Sequence, residues 1–137
     1  GSTDSGSTDA ASAALLDIDV SSATYAGLAQ VGGMVAADLA PGQKVVLVRV
    51  ANAQLACLSR VCTHAGCEIS PEDSGKWHAT PWQAGSVKVP GNTLECTCHT
   101  SAFGLDGKVL AGPASKPLDV FATTFDPATG KGKVVKS

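Results

Sequence analysis

Two short boxes, Cys62-Thr63-His64-Ala65-Gly66-Cys67 and Cys96-Thr97-Cys98-His99-Thr100-Ser101, constrain this chain more than any other feature. Each brings a cysteine and a histidine together, Cys62 with His64 and Cys96 with His99, and each holds one further cysteine, Cys67 and Cys98. Two thiolates and two imidazoles make a complete four-ligand set for a metal centre. Cys-x-His and Cys-x-x-His each place two donors on one tight loop, so two loop tips can clasp a centre from opposite sides. One loop alone would leave it half open. The fold must therefore carry two loops, separate in sequence, to one place.

Size and charge limit what such a clasp is attached to. At 137 residues, with 44% apolar and 16% charged residues, the chain is long enough for one domain with a modest core. A net charge of -2 supplies no basic field for a phosphate backbone, so no nucleic acid partner is expected. The best apolar run, Val45 to Val48, stops at Arg49, far short of the roughly 18 residues needed to cross a bilayer.

Residues 1–14 are mostly Gly, Ser, Thr, Asp and Ala and read as a flexible tail or linker, because too little apolar surface is available to offset the entropy of ordering. From residue 15 the texture changes. Leu16, Ile18 and Val20 alternate with Asp17 and Asp19, the period of a strand with one wet face. Val31-Gly32-Gly33 and Pro41-Gly42 are turns, and Lys44 to Val50 is β-branched enough for a strand buried on both faces. Ala51-Asn52-Ala53 then turns the chain into Gln54 to Leu58, which delivers it to the first box. No segment combines a helical period with caps, so an antiparallel all-β fold, a sandwich or barrel, is expected.

The boxes resemble the Rieske pattern, C-T-H-x-G-C and C-x-C-H-x-S, in which two histidines replace two cysteines on one iron of a 2Fe-2S cluster. The resemblance implies that Cys62 and Cys96 bind one iron and that His64 and His99 bind the other. It also implies a Rieske-type fold, with a cluster-binding part at about residues 60–118 set into a base within residues 15–137. A Cys2His2 zinc site, or two disulfides with incidental histidines, are the competing readings of the same residues. Zinc commonly uses Cys-x2-4-Cys pairs, and neither alternative accounts for the ordered match of both boxes together with Ser101.

Further roles follow from the same resemblance. Ser101 occupies the position whose hydroxyl donates to a bridging sulfide and stabilises the reduced cluster. Two residues on, where high-potential quinol-oxidising members carry a tyrosine donor, this chain has Phe103, so its potential is expected below theirs. Ala65 stands where respiratory members commonly have a leucine that shields the cluster. Cys67 and Cys98 match the disulfide that joins the two loops in high-potential members, which implies an oxidising compartment, the periplasm or cell exterior. Rieske ferredoxins serving cytoplasmic dioxygenases typically lack that pair. On this reading residues 1–14 either tether the domain to a membrane anchor lying upstream or form a plain disordered end.

The implied function is one-electron transfer between donor and acceptor proteins, a cytochrome or an oxidoreductase, with no catalytic residue in the chain itself. The alternatives are the Rieske subunit of a quinol-cytochrome c oxidoreductase and the small subunit of an arsenite-oxidase-like molybdoenzyme.

The segment between the boxes, residues 68–95, is long for the family. Ser86 to Val89 and Pro90 to Glu95 read as a hairpin leading into the second box, while Trp77, His78 and Trp82 form either a docking surface or a locally packed loop. Cys57, the fifth cysteine, sits among Leu55, Ala56 and Leu58 and reads as a core residue. Gly112-Pro113-Ala114 with Pro117-Leu118 resembles the family's proline-rich loop over the cluster. Val120 to Phe125 and Lys133 to Val135 read as a closing hairpin.

Replacing two thiolates by neutral imidazoles leaves the oxidised centre less negative and raises its potential. Reduction should then tighten the hold of the imidazoles on their protons. The midpoint is expected to fall with pH once the oxidised form's histidines deprotonate, and a flat midpoint from about pH 6 to 10 in a redox titration would contradict this.

Overall fold

The computed structural model of the chain describes residues 14–39, 42–61, 69, 75–97, 101–112 and 116–135. Among these residues the strands are β1 (Ala14–Asp19), β2 (Met34–Leu39), β3 (Gln43–Ala51), β4 (Gln54–Ser59), β5 (Gly75–His78), β6 (Trp82–Ala84), β7 (Val87–Val89), β8 (Thr93–Cys96), β9 (Ser101–Phe103), β10 (Val109–Ala111), β11 (Val120–Asp126) and β12 (Lys131–Val135). A single turn of 3-10 helix at Ala26–Leu28 is the only helical element described. β1 begins at Ala14, the last residue of the expected tail. No helix among the described residues is long and apolar enough to cross a membrane.

Six strands in the order β1-β12-β11-β4-β3-β2 form an antiparallel sheet, and its edges β1 and β2 touch, so it curls into a nearly closed barrel. The central run of β3 explains the curl. Val45, Val46, Leu47 and Val48 are each fully buried, as their composition led one to expect, and the first three alternate between two cores. Val45 and Leu47 join Leu55, Cys57, Ile18, Leu28 and Val134 in one apolar cluster. Val46 joins Ala56, Leu58, Ile69, Leu94, Cys96, Phe103 and Leu118 in another. Each such side chain contributes about 1.5–3 kcal/mol over an exposed one, so β3 holds two layers together.

Arg49 ends that run but is itself buried, at 7% exposure. Its guanidinium donates to the carbonyl oxygens of Leu28 at 2.9 Å, Asn52 at 2.7 Å and Ala51 at 3.1 Å, and lies 4.5 Å from the Phe125 ring centroid. Carbonyl dipoles and a ring face replace the water that the cation loses. Arg49 thereby ties the 3-10 turn to the β3–β4 turn.

The chain leaves the barrel after β4 and returns as β11, which pairs with β4 at Val120–Leu58 and Phe121–Cys57. Ser59 N–H donates to the Asp119 carbonyl at 2.8 Å, so departure and return are adjacent. Between them lie a four-stranded sheet, β10-β9-β8-β5, and the β6–β7 hairpin.

This region corrects one expectation. Ser86 to Val89 does not form a hairpin with the segment leading into the second box. β7 pairs back onto β6, with Ala84 opposite Val87 across Gly85-Ser86. Gly85 takes φ +61, which suits a two-residue turn with glycine first. Pro90 lacks the N–H that would extend the pairing, and Asn92 at φ 58 reverses the chain. β8 is then free to pair with β5 and β9.

Cys57 is buried as expected, and burial pushes its thiol up to about 12 from 9.0. At pH 8 roughly one thiol in ten thousand is ionised, so native protein should resist alkylation at Cys57, as read by peptide mass mapping. The folded thiol keeps its proton to about 12 while an unfolded one releases it near 9.0, so this contribution to stability is complete below pH 9 and is lost as pH rises toward 12. Cys57→Val should flatten the alkaline fall in urea unfolding free energy over that window.

Candidate metal centre

The second box starts where β8 ends. Along β8 side chains alternate, so Leu94 and Cys96 face the barrel while Thr93 and Glu95 face away. Cys96 is fully buried in the cluster that contains Leu58, Ile69, Leu94, Phe103 and Leu118. Directly across the β8–β9 pair stands Ser101, also fully buried. A soft sulfur donor and a hydroxyl are thus held side by side at the end of the sheet from which the second box projects. Thr97 is exposed.

The neck of the first box reaches the same place from the barrel. Arg60 N–H donates to the Lys44 carbonyl at 3.1 Å, and Ile69 N–H returns to the Arg60 carbonyl, so residues 60 and 69 close the base of the loop. Ile69 is fully buried beside Cys96 in the shared cluster. A third segment arrives with Leu118, whose N–H donates to the Gly107 carbonyl at 2.8 Å. Gly107 has φ +82, and a Cβ there would come within 2.1 Å of the Leu118 oxygen. Only glycine permits this approach.

Cys62, His64, Cys67, Cys98 and His99 lie outside the described residues, as do Ala65, Pro113 and Ala114. Among the described residues no group of three or more His, Cys, Asp or Glu side chains gathers as a ligand set. Cys96 and Ser101 are the predicted site residues whose placement is described. A buried thiol paired with a buried hydroxyl, at the convergence of three necks, suits a soft iron–sulfur centre. Phe103 is fully buried in the same cluster and offers no donor.

The tryptophans and the histidine between the boxes do not share one surface. Trp77 packs on the inner cluster, opposite Leu94. His78 and Trp82 lie on the outer face, stacked with ring centroids 3.8 Å apart and planes at 8°. His78 Nε2–H donates to Glu95 Oε1 at 2.6 Å, and Trp82 Nε1–H donates to Thr93 Oγ1 at 2.7 Å. Ala84, Val89, Ala102 and Ala111 fill the space under the hairpin. The local-packing reading is the one the structure supports. In the sequence, only its place two residues from Thr93 on one strand face marks Glu95.

A groove of about 490 Å³ lies elsewhere, on the barrel, lined by Asp17, Tyr25, Thr124, Asp126 and Lys131 among others. Its Asp19 carboxyl is held below the usual range mainly by hydrogen bonds from Ser21, with Lys131 adding little, and burial raises Tyr25. Asp19 and Asp126 cap their own turns through the backbone N–H groups of Ser21 and Ala128. None of the lining residues belongs to the four-stranded sheet.

Gly107→Ala should lower the unfolding free energy by about 2 kcal/mol or more, through the left-handed backbone and the collision with Leu118. Urea denaturation checks this.

Residues 28–122 match the Rieske [2Fe-2S] domain. The cytochrome b6-f complex iron-sulfur subunit of Synechococcus sp. (strain JA-3-3Ab) is 36% identical over 69 residues, 50% of this chain and 31% of that protein. The chloroplastic subunit of the same name from Bigelowiella natans is 36% identical over 80 residues, 58% of this chain and 24% of that protein. The match thus spans about a third or less of these relatives' length. A chain in the solved complex of reduced oxygenase and oxidized ferredoxin in carbazole 1,9a-dioxygenase superposes with a TM-score of 0.55 over 77% of this chain and 82% of its own, at 21% identity, a likeness of fold. Proteins with this domain are electron carriers or subunits of oxidoreductase complexes. The chain belongs to the Rieske [2Fe-2S] family, and its cofactor is a Rieske-type 2Fe-2S cluster.

Proposed function

We propose that this chain is a one-electron transfer protein whose cluster is held by Cys62 and Cys96 on one iron and His64 and His99 on the other. The observation that carries the reading is the convergence of the two box necks, Arg60–Ile69 and Cys96–Ser101, on one apolar cluster. When bound, a Rieske cluster accepts and returns one electron at roughly -150 to +300 mV. The chain's own residues set where in that range it lies. Ser101 stands beside the Cys96 strand end with its side chain excluded from water, which suits donation to a sulfide. Phe103 adds apolar surroundings without a second donor.

Cys67 and Cys98 support a disulfide across the two loops, and with it an exported protein whose partners are a cytochrome or an oxidoreductase. Intact mass after alkylation without reductant reads this directly, since a disulfide leaves both cysteines unmodified. A second reading, the iron–sulfur subunit of a quinol-cytochrome complex, is favoured by the names of the relatives above. Ala65 and Phe103 weigh toward a separate carrier. Co-purification of the native protein with a cytochrome b, together with quinol turnover, would decide for the subunit.

The reading is tested by electron paramagnetic resonance of the dithionite-reduced protein with a redox titration. The expected result is the rhombic signal of a mixed-ligand 2Fe-2S cluster, with a midpoint well above about -400 mV. Ser101→Ala should lower the midpoint by roughly 60 mV, because a hydrogen bond worth about 1.4 kcal/mol more to the reduced form corresponds to about 59 mV for one electron. A colourless protein holding zinc and no labile sulfide would overturn the reading.

A further inference from the structure

We propose that the His78–Glu95 pair on the outer face of the four-stranded sheet is a positioning clasp for the ligand Cys96, which faces the other way on the same strand. The proposal rests on the cluster-binding reading above and adds a role for residues outside both boxes.

The end of β8 is held unequally from its two sides, with Ser101 opposite Cys96 on β9 and a glycine opposite it on β5. Cys96 is the last residue of β8, and strand ends fray unless something holds them. Its partner on β5 is Gly75, the first residue of that strand, which brings no side chain. At Cys96 the β5 side therefore offers backbone alone. One residue earlier the situation changes. Glu95 turns its carboxylate to the outer face, and His78, one diagonal step along β5, donates to it at 2.6 Å with side-chain exposures of only 15% and 13%. A hydrogen bond to a carboxylate shielded from water is stronger than one between neutral groups in water.

The clasp is itself held from outside. Trp82, on β6, lies flat against the His78 ring and fixes its plane, and the indole N–H is anchored on Thr93, two residues before Glu95 on β8. Thr93 Oγ1 in turn donates to the Pro90 carbonyl at 3.2 Å. The circuit Glu95–His78–Trp82–Thr93 begins and ends on β8. It fixes the strand at two points on the outer face, so rotation about the strand axis, which would swing Cys96 on the inner face, is resisted. Alanines at 84, 102 and 111 let the hairpin lie close enough to complete it. This gives the long segment between the boxes a purpose that spacing alone did not suggest.

The test uses the full chain, loaded with cluster, in wild type, His78→Ala, Glu95→Ala and Glu95→Gln. Glu95→Gln keeps an oxygen acceptor for His78 and removes the charge, so it separates geometry from field. The clasp predicts that both alanine variants release iron to a chelator roughly ten-fold or more faster than wild type. They should also broaden the paramagnetic lines of the reduced cluster and speed hydrogen exchange of the Cys96 and Thr97 amides in the apo protein. Glu95→Gln should stay near wild type in all three. Unchanged linewidths, exchange and release in both alanine variants would overturn the proposal, as would lowered unfolding midpoints with spectra and iron release unchanged. Glu95→Gln behaving as Glu95→Ala would also overturn it, in favour of a charge effect. If the wild type itself holds no 2Fe-2S signal, the cluster reading fails first, whereas apo-protein exchange still reads the clasp.

Discussion

Burial of Cys96 in an apolar cluster shared by the barrel and the four-stranded sheet is the contact on which the rest of the structure depends. Leu58 brings the barrel to it, Ile69 brings the neck of the first box, Leu94 and Phe103 bring the second sheet, and Leu118 brings the returning chain. Without that cluster the necks at Ile69 and Cys96 would have no apolar contact to bring them together. With Cys96 as a ligand, as proposed, such an arrangement suits one-electron transfer, because a ligand must move little when the charge changes. Backbone hydrogen bonds in strands, and not the loops alone, set the position of the Cys96 sulfur.

The period of two along β8 divides labour between its faces. Inward residues are apolar or sulfur-bearing and define the site, while outward residues are polar and are covered by an extra hairpin. Arg49 shows the same economy in the barrel, where one buried cation satisfied by carbonyls ties the 3-10 turn to a β-turn. In both places a polar group is taken out of water only where its hydrogen bonds are already arranged.

Much of this was legible in the residues. The alternation at Leu16 and Ile18, the apolar run of β3 and the turn signals at Gly32 and Gly42 pointed to an antiparallel all-β fold, a sandwich or barrel, and the resemblance of the two boxes to the Rieske pattern pointed to the cofactor. What could not be read was which strands pair across distance. Ser86 to Val89 and Thr93 to Glu95 both look like strands, and only the turn at Gly85 and the proline at 90 determine that β7 folds back on β6. Pairing decides faces, so Trp77 could not be separated from His78 and Trp82 before β5 was known to lie beside β8. Arg49 was hidden for a different reason: a charge at the end of an apolar run signals solvent unless the carbonyls that receive it are known to be near.

The adjacency of Ser59 and Asp119 also bears on length. A segment whose two ends are pinned by a backbone hydrogen bond is, to the barrel, a closed loop, and the entropy of closing such a loop grows only with the logarithm of its contour, by about 0.6 kcal/mol per doubling. Adding a short hairpin such as Trp82 to Val89 between the boxes therefore leaves the barrel's loop-closure entropy almost untouched. Variation in that hairpin, which packs on Ala102 and Ala111, can accumulate above the Ser59–Asp119 seam without renegotiating the barrel below it.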